Sequence, residues 1–322
     1  MKSLYLLPLA VLVIALSARL GTAAEPDAES AVADPRLLEL QAAVEHNDGS
    51  LCHLDPVTLE HEEAHYGEGG DEAAAGHGAK LVDFFNWGFE PPTGQFDQAQ
   101  LKRGFAVFTQ ACSACHGIKY VDYRHLREIG IPAAVLSPYM QAHYPDGVQD
   151  ENFVRTVGLQ DNWPANRNLV NGAVPPDLSN MVRQQYKYLG AGTDYVFNLL
   201  LGYQEERQEE NAQGGVNCFY KGEIIAMSAP LTLASTGIYS NAVAEGLLSE
   251  EAIPSETLVQ YAADVSAFLA WTSDPNRDAM HRQGLFWLLF FALLSLVTYF
   301  TFRAVARQVH SDQEKRGGPW TD

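Results

Sequence analysis

Cys112-Ser113-Ala114-Cys115-His116 constrains this chain more than any other feature. C-x-x-C-H is the attachment pattern of a c-type haem. Each thiol can form a thioether with one vinyl group of the porphyrin, and the adjacent imidazole then lies under the iron as an axial ligand. A chain stitched to a flat cofactor must build its core around that plane. A zinc half-site would want a second ligand pair at similar spacing, and none follows. A dithiol redox site would want alternating strand and helix patterns on its flanks, and these are missing. There is no second C-x-x-C-H and no internal repeat, so the sequence predicts a single haem.

The first 24 residues read as a secretory signal. Lys2 gives the basic start, Leu4 to Leu16 the apolar stretch, and Thr22-Ala23-Ala24 the small residues before a cut at Glu25. A retained anchor is the alternative, which the small-residue site disfavours. A second apolar run, Leu285 to Phe302, carries no charge and is about long enough to cross a bilayer. It has no polar face, so a membrane span suits it better than a buried core helix. Arg303, Arg307, Lys315 and Arg316 follow, and by the positive-inside rule the tail is cytoplasmic. The region between the two segments is then periplasmic, where haem is attached to such motifs. The expected location is the bacterial inner membrane, with a single pass.

The formal net charge is −19, and the leader carries Lys2 and Arg19 but no acid, so the mature chain is more acidic still. Such a field repels nucleic acid and attracts basic proteins, although it also serves plain solubility. The acid is concentrated in Glu60 to Glu72, Glu205 to Glu210 and Glu245 to Glu256.

Residues 25–80 are acidic, rich in Ala, Gly and His, and poor in large apolar side chains. That composition predicts a mobile extension or a surface appendage that builds no core, with order beginning near Lys80. His46, His53, His61, His65 and His77 could bind a metal with Cys52, but solvated histidines in a polar segment are the simpler reading. Cys52 and Cys218 remain once the haem motif is assigned. They can pair in an oxidising compartment, and the sequence does not show whether they lie close enough.

From Lys80 an apolar, aromatic run, Leu81 to Trp87, leads to a turn at Pro91-Pro92-Thr93-Gly94. Asp97 can cap a helix running through Leu101, Phe105 and Phe108 into the cysteine motif. Gly104 lies on the face of Phe108 and Cys112, where it would let another helix approach closely. Residues 131–180 are loop-rich. Within them Pro175-Pro176-Asp177-Leu178-Ser179 is either a rigid wall against a flat ligand or a turn in which Asp177 or Ser179 caps a helix. A helix is expected over Asp194 to Leu201, and another capped by Ser255 and ended by Pro275. Between them lies Ile224-Ile225-Ala226-Met227-Ser228-Ala229-Pro230. Met227 is a methionine on a non-helical stretch beside proline, the setting a distal thioether ligand needs. A methionine is more often core filler, but Met140, Met181 and Met280 lack this setting.

Taken in order, these segments resemble the cytochrome c1 family, the haem subunits of quinol–cytochrome c oxidoreductase (the cytochrome bc1 complex). The resemblance covers about Leu81 to Arg303. It rests on Phe96-Asp97, Leu101 to Phe105, the cysteine motif and Tyr120 to Leu126. Pro175 to Ser179, Asp194 to Phe197, Met227 with Pro230, Asp264 to Trp271 and the single C-terminal span complete it.

The resemblance implies a mainly α, class I cytochrome c fold around one covalent haem, with long loops and one C-terminal transmembrane helix. It implies Cys112 and Cys115 as attachment points, His116 as proximal ligand and Met227 as distal ligand. Pro176 would line the haem, Tyr195 would lie in its pocket, and Arg183 would stand in for a propionate-binding arginine where this chain has Gln185. The implied domains are a signal peptide (1–24), the acidic extension (25–80), the periplasmic haem domain (81–280), the anchor (281–303) and a tail (304–322). The implied role is a one-electron relay from the Rieske iron–sulfur protein to a soluble cytochrome c, alongside cytochrome b in a dimeric complex. A monohaem subunit of a terminal oxidase and a haem-based gas sensor are the rival readings.

Overall fold

Asp97 starts the helix that leads into the cysteine motif. Its carboxylate accepts from the amides of Ala99 (3.0 Å) and Gln100 (3.2 Å), donors that no preceding turn can satisfy. The computed structural model describes residues 35–46, 52, 87–89, 94–149, 154–165, 169–185, 189–204, 207 and 214–315. Within these residues the chain is mainly helical, with two short antiparallel ribbons.

In chain order the helices are α1 (Pro35–His46), α2 (Gln98–Val107), α3 (Tyr123–Glu128), α4 (Ala133–His143), α5 (Met181–Gln185), α6 (Leu189–Leu201), α7 (Ile238–Ala244), α8 (Leu258–Ser273) and α9 (Arg277–Lys315). Strands β1 (Val148–Gln149) and β2 (Val154–Arg155) form one ribbon. In the other, β3 (Gly215–Val216) pairs with β4 (Ile224–Ile225), Gly215 opposite Ile225.

Helices α2 and α8 cross at Gly104. A Cβ there would sit 2.1 Å from the Asp264 carbonyl oxygen and 2.6 Å from Phe268 Cβ, so only hydrogen fits. The close approach expected of this glycine is therefore the crossing of the first domain helix with the last. Phe105, Phe108, Trp163 and Phe268 fill the core beside it, with edge-on contacts at 5.8 Å (Phe105–Phe268) and 5.4 Å (Phe108–Trp163). Each such pair adds about 0.5–1.5 kcal/mol beyond simple burial.

One buried polar network locks the crossing. Asp264, whose side chain is 0% exposed, accepts from Arg103 Nε (2.7 Å) and Nη2 (3.2 Å), the Tyr239 hydroxyl (2.6 Å) and Gln260 Nε2 (3.1 Å). A carboxylate at that depth is tolerable only because all of these donors converge on it. The network ties α2, α7 and α8 together.

The expectation that residues 25–80 build no core fails over 35–46. Helix α1 packs on α8 and buries Leu37, Leu40 and Val44. Gln41 Oε1 accepts from the Val259 amide (3.0 Å), one of the unpaired donors at the start of α8. Cys52 is bonded to Cys218, which answers the question the sequence left open. Three cap and boundary expectations also change. Thr257, not Ser255, caps α8 by accepting from the Gln260 amide (3.2 Å). Helix α6 starts at Leu189, so Asp194 lies inside it, buried and accepting from Trp87 Nε1 (2.8 Å). Asp177 and Ser179 cap no helix, for the reason given below.

Helix α9 contains the apolar run, and it is the one helix among the described residues long and apolar enough to cross a membrane. Leu285 to Phe302 rises about 27 Å, close to the ~30 Å hydrocarbon thickness. None of that window is buried against the rest of the fold. At its root, Arg277 is buried with its guanidinium 5.7 Å and 5.8 Å from the rings of Phe89 and Phe96. The Phe96 amide donates to Asp278 (3.2 Å). The anchor is thus fastened to the domain it carries. The signal segment, His53, His61, His65, His77, the acidic stretch 60–72, most of 205–210 and Arg316 lie outside the described residues.

Candidate functional site

The end of α2 widens before the motif. Phe108–Cys112 forms a π-helical turn, an insertion that changes which way the following residues face. The amides of Cys115 (3.0 Å) and His116 (2.9 Å) then both donate to the Cys112 carbonyl. This tight turn brings the two cysteines and the histidine together. Cys112 is buried, Cys115 half-buried, and neither is in a disulfide. Burial, then the neighbouring Cys115, pushes the Cys112 thiol up to about 12, so it is protonated at neutral pH and a poor partner for stray disulfide exchange.

His116 is buried, and its Nδ1 lies 2.7 Å from the Pro176 carbonyl oxygen. A carbonyl has no proton to give, so Nδ1 carries the hydrogen and donates it. The lone pair is then on Nε2, the state an imidazole needs to bind a metal, with its ring fixed by the second bond. Sequence reading named Pro176 as a wall residue and missed this orienting role. The signal was there in part, since proline keeps its acceptor while lacking a donor.

What delivers Pro176 to His116 is a seam between two loops. Leu178 N donates to Gly117 O (2.8 Å). Asp177 accepts from the amides of Lys119 (2.9 Å) and Ser179 (3.1 Å) and from the Ser179 hydroxyl (2.6 Å). Ser179 Oγ in turn accepts from the Tyr120 amide (3.0 Å). Asp177 and Ser179 are thus committed to the 117–120 backbone, which is why neither caps α5.

Met227 follows β4 on a non-helical stretch and is half-buried. Met140, Met181 and Met280 are all helical; the first two pack on the core and the third is exposed at the anchor. The Tyr203 hydroxyl donates to the Met227 carbonyl (3.2 Å). Burial, then the charge interaction with Tyr195, raises the Tyr203 phenol above its ordinary value, and Tyr195 is itself buried in α6. Arg183 is placed differently. It is half-exposed and forms an ion pair with Asp274, just past α8.

The structure therefore gathers Cys112, Cys115, His116 and Pro176 at one point, buries Tyr195 in α6, and gives Arg183 a carboxylate partner. An oriented imidazole one residue beyond two cysteines that form no disulfide fits haem. A sequence model described as the Cytochrome C1 family matches residues 87–309, which spans the motif, the Pro176 loop, Met227 and the anchor. The chain belongs to the cytochrome c1 family. Cytochrome c1 of Blastochloris viridis is 32% identical over 65% of this chain and 80% of its own length. The mitochondrial cytochrome c1 haem protein of Schizosaccharomyces pombe is 34% identical over 64% of each. Cytochrome b/c1 of Bradyrhizobium diazoefficiens is 29% identical over 74% of this chain, which spans 37% of that longer protein. Membership of the cytochrome c1 family makes haem the cofactor, electron transfer the role and a cytochrome bc1 complex the setting. It sets aside the terminal-oxidase and gas-sensor readings. The exposed apolar helix α9 anchors the chain to a membrane.

Proposed function

We propose that this chain is the electron-carrying subunit of a bacterial cytochrome bc1 complex, which receives electrons from the Rieske iron–sulfur protein and delivers them one at a time to a soluble cytochrome c. The observation that carries the reading is the His116–Pro176 hydrogen bond, which directs the lone pair to Nε2 beside two cysteines that form no disulfide. Haem, when bound, supplies a one-electron iron couple.

The residues around it have separate tasks. Cys112 and Cys115 attach the porphyrin through thioethers. His116 Nε2 and the Met227 thioether would hold the iron, which would keep small molecules from it and limit rearrangement on electron transfer. The soft thioether favours ferrous iron and raises the potential. Pro176 holds the imidazole plane, and Tyr195 closes the Met227 side. Arg183 has weaker support as a propionate ligand, because it would have to leave Asp274.

Topology and charge complete the reading. The leader exports the N-terminus, and Arg303, Arg307, Lys315 and Arg316 hold the tail in the cytoplasm, so the haem domain is periplasmic. Cytochrome b is the membrane partner, within a dimeric complex. The exposed carboxylates Glu245, Glu250 and Glu251, with the acidic stretch 205–210, steer a basic cytochrome c whose on-rate falls as salt rises.

The test is purification of the native complex from solubilised membranes. Cytochrome b and a Rieske protein should co-purify with quinol-dependent reduction of a soluble cytochrome c. A haem-containing preparation that lacks either partner at full activity contradicts the proposal.

A further inference from the structure

Two hydrogen bonds from distant parts of the chain converge on the main chain of Met227. The Ala226 carbonyl, part of the peptide unit that enters Met227, accepts from Asn171 Nδ2 at 2.8 Å. The Met227 carbonyl accepts from the Tyr203 hydroxyl at 3.2 Å. The backbone of β3 closes in from a third side. A Cβ on Gly215 would sit 2.7 Å from the Tyr203 ring and 3.1 Å from the Met227 carbonyl oxygen. Along the segment Ile224, Ala226 and Ser228 are exposed and Ile225 is buried where β4 pairs with β3.

Asn171 is suited to this contact by its backbone. Its φ is +49°, and that of Gly172 is +78°. Val170 and Ala173 exchange two backbone hydrogen bonds across them (2.8 Å and 3.0 Å). Such a two-residue turn demands a left-handed pair, which Asn, Asp and Gly tolerate. Of these, Asn alone also offers an amide donor. The same loop continues to Pro176, whose carbonyl orients His116. One loop therefore touches the proximal imidazole at one end and the Met227 segment at the other.

We propose that Asn171 and Tyr203 are positioning residues for Met227, holding the distal ligand by the carbonyl groups on either side of it. The proposal rests on Met227 being that ligand. The protein, rather than the iron–sulfur bond alone, then sets where the thioether stays. The effect is largest in the ferric state, where the soft sulfur binds less firmly.

The test uses the intact complex carrying Asn171→Gly, Tyr203→Phe or Met227→Leu. Asn171→Gly keeps the positive φ and deletes the donor, so turn strain is not introduced. Asn171→Asp, which tolerates the same turn and also lacks the donor, is a second arm. Three readouts are followed: the red charge-transfer band of thioether-ligated ferric haem, carbon monoxide binding to the reduced protein, and the midpoint potential. Each positioning variant should raise the sulfur-off population about fivefold, the factor one hydrogen bond of ordinary net strength is worth. The potential should fall, and the Asn171→Gly/Tyr203→Phe double variant should lose more than either single change. Met227→Leu should abolish the band and admit carbon monoxide. If it does so while the positioning variants match the wild type in all three readouts, the positioning proposal is overturned and the ligand stands. If Met227→Leu itself keeps the band and still refuses carbon monoxide, the ligand assignment falls and takes the proposal with it.

Discussion

Pro176 O and His116 Nδ1 lie 2.7 Å apart, and the Asp177 seam fixes that contact. The proximal imidazole is therefore oriented by a loop 60 residues away in sequence. Replacing Asp177 by alanine removes the acceptor for Lys119 N and for both donors of Ser179. The haem domain should lose about 2–3 kcal/mol, with a shifted midpoint potential, because the His116 partner is no longer fixed. Thermal unfolding followed by haem absorbance, together with a redox titration, checks this. Wild-type values for both would show that the seam orients nothing.

Asp264 is the stability centre of the α2–α8 crossing. In Asp264→Asn the buried Arg103 loses its counter-charge, so a loss of about 3–5 kcal/mol is expected. Denaturation of the solubilised complex, read through the haem domain, should show it. A loss below about 1 kcal/mol would contradict the assignment.

Acid should weaken the domain in a defined window. The Arg155 hydrogen bond holds the Asp161 carboxyl below its ordinary value near 3.8. Burial alone would raise Glu256, but hydrogen bonds from Ser240 and Tyr261 outweigh it and leave Glu256 below 4.5. Both folded pKa values are depressed. The stability they give is thus fully present above the ordinary values and is lost as pH falls through the folded ones. Stability measured from pH 7 downwards should change little through these groups until about pH 5 and then drop. In Asp161→Asn the drop should be shallower; an acid limb as steep as the wild type's would contradict the pairing.

Cys52–Cys218 ties the segment after α1 to the stretch leading into Met227, closing a loop of 166 residues. The Cys52→Ser/Cys218→Ser double variant should lose about 2–5 kcal/mol. Non-reducing peptide mapping of the wild type should recover the linked pair. A stability equal to the wild type's would show that the bridge constrains little.

The legible parts of this fold were those written in local chemistry. Asp97 announced its helix because a carboxylate at that place satisfies end-of-helix amides, and Gly104 announced the crossing because nothing larger fits. The cysteine motif and the apolar run needed no tertiary knowledge. Helix α1 was hidden because composition was averaged over 25–80, although Leu37, Leu40 and Val44 fall at helical spacing within it. Its burial depends on a face of α8 that the local segment does not reveal. The same limit applies to Asp177 and Ser179. Local rules make either a good helix cap, but the backbone of 117–120 competes for their oxygens, and only the folded chain brings it there.

The central claim is that this chain carries one haem fixed to Cys112 and Cys115. Mass spectrometry of the denatured mature polypeptide tests it most directly. The account predicts a mass increased by one haem, with the increment retained on the peptide containing both cysteines. A polypeptide of unmodified mass, with both thiols free to alkylate, would contradict it.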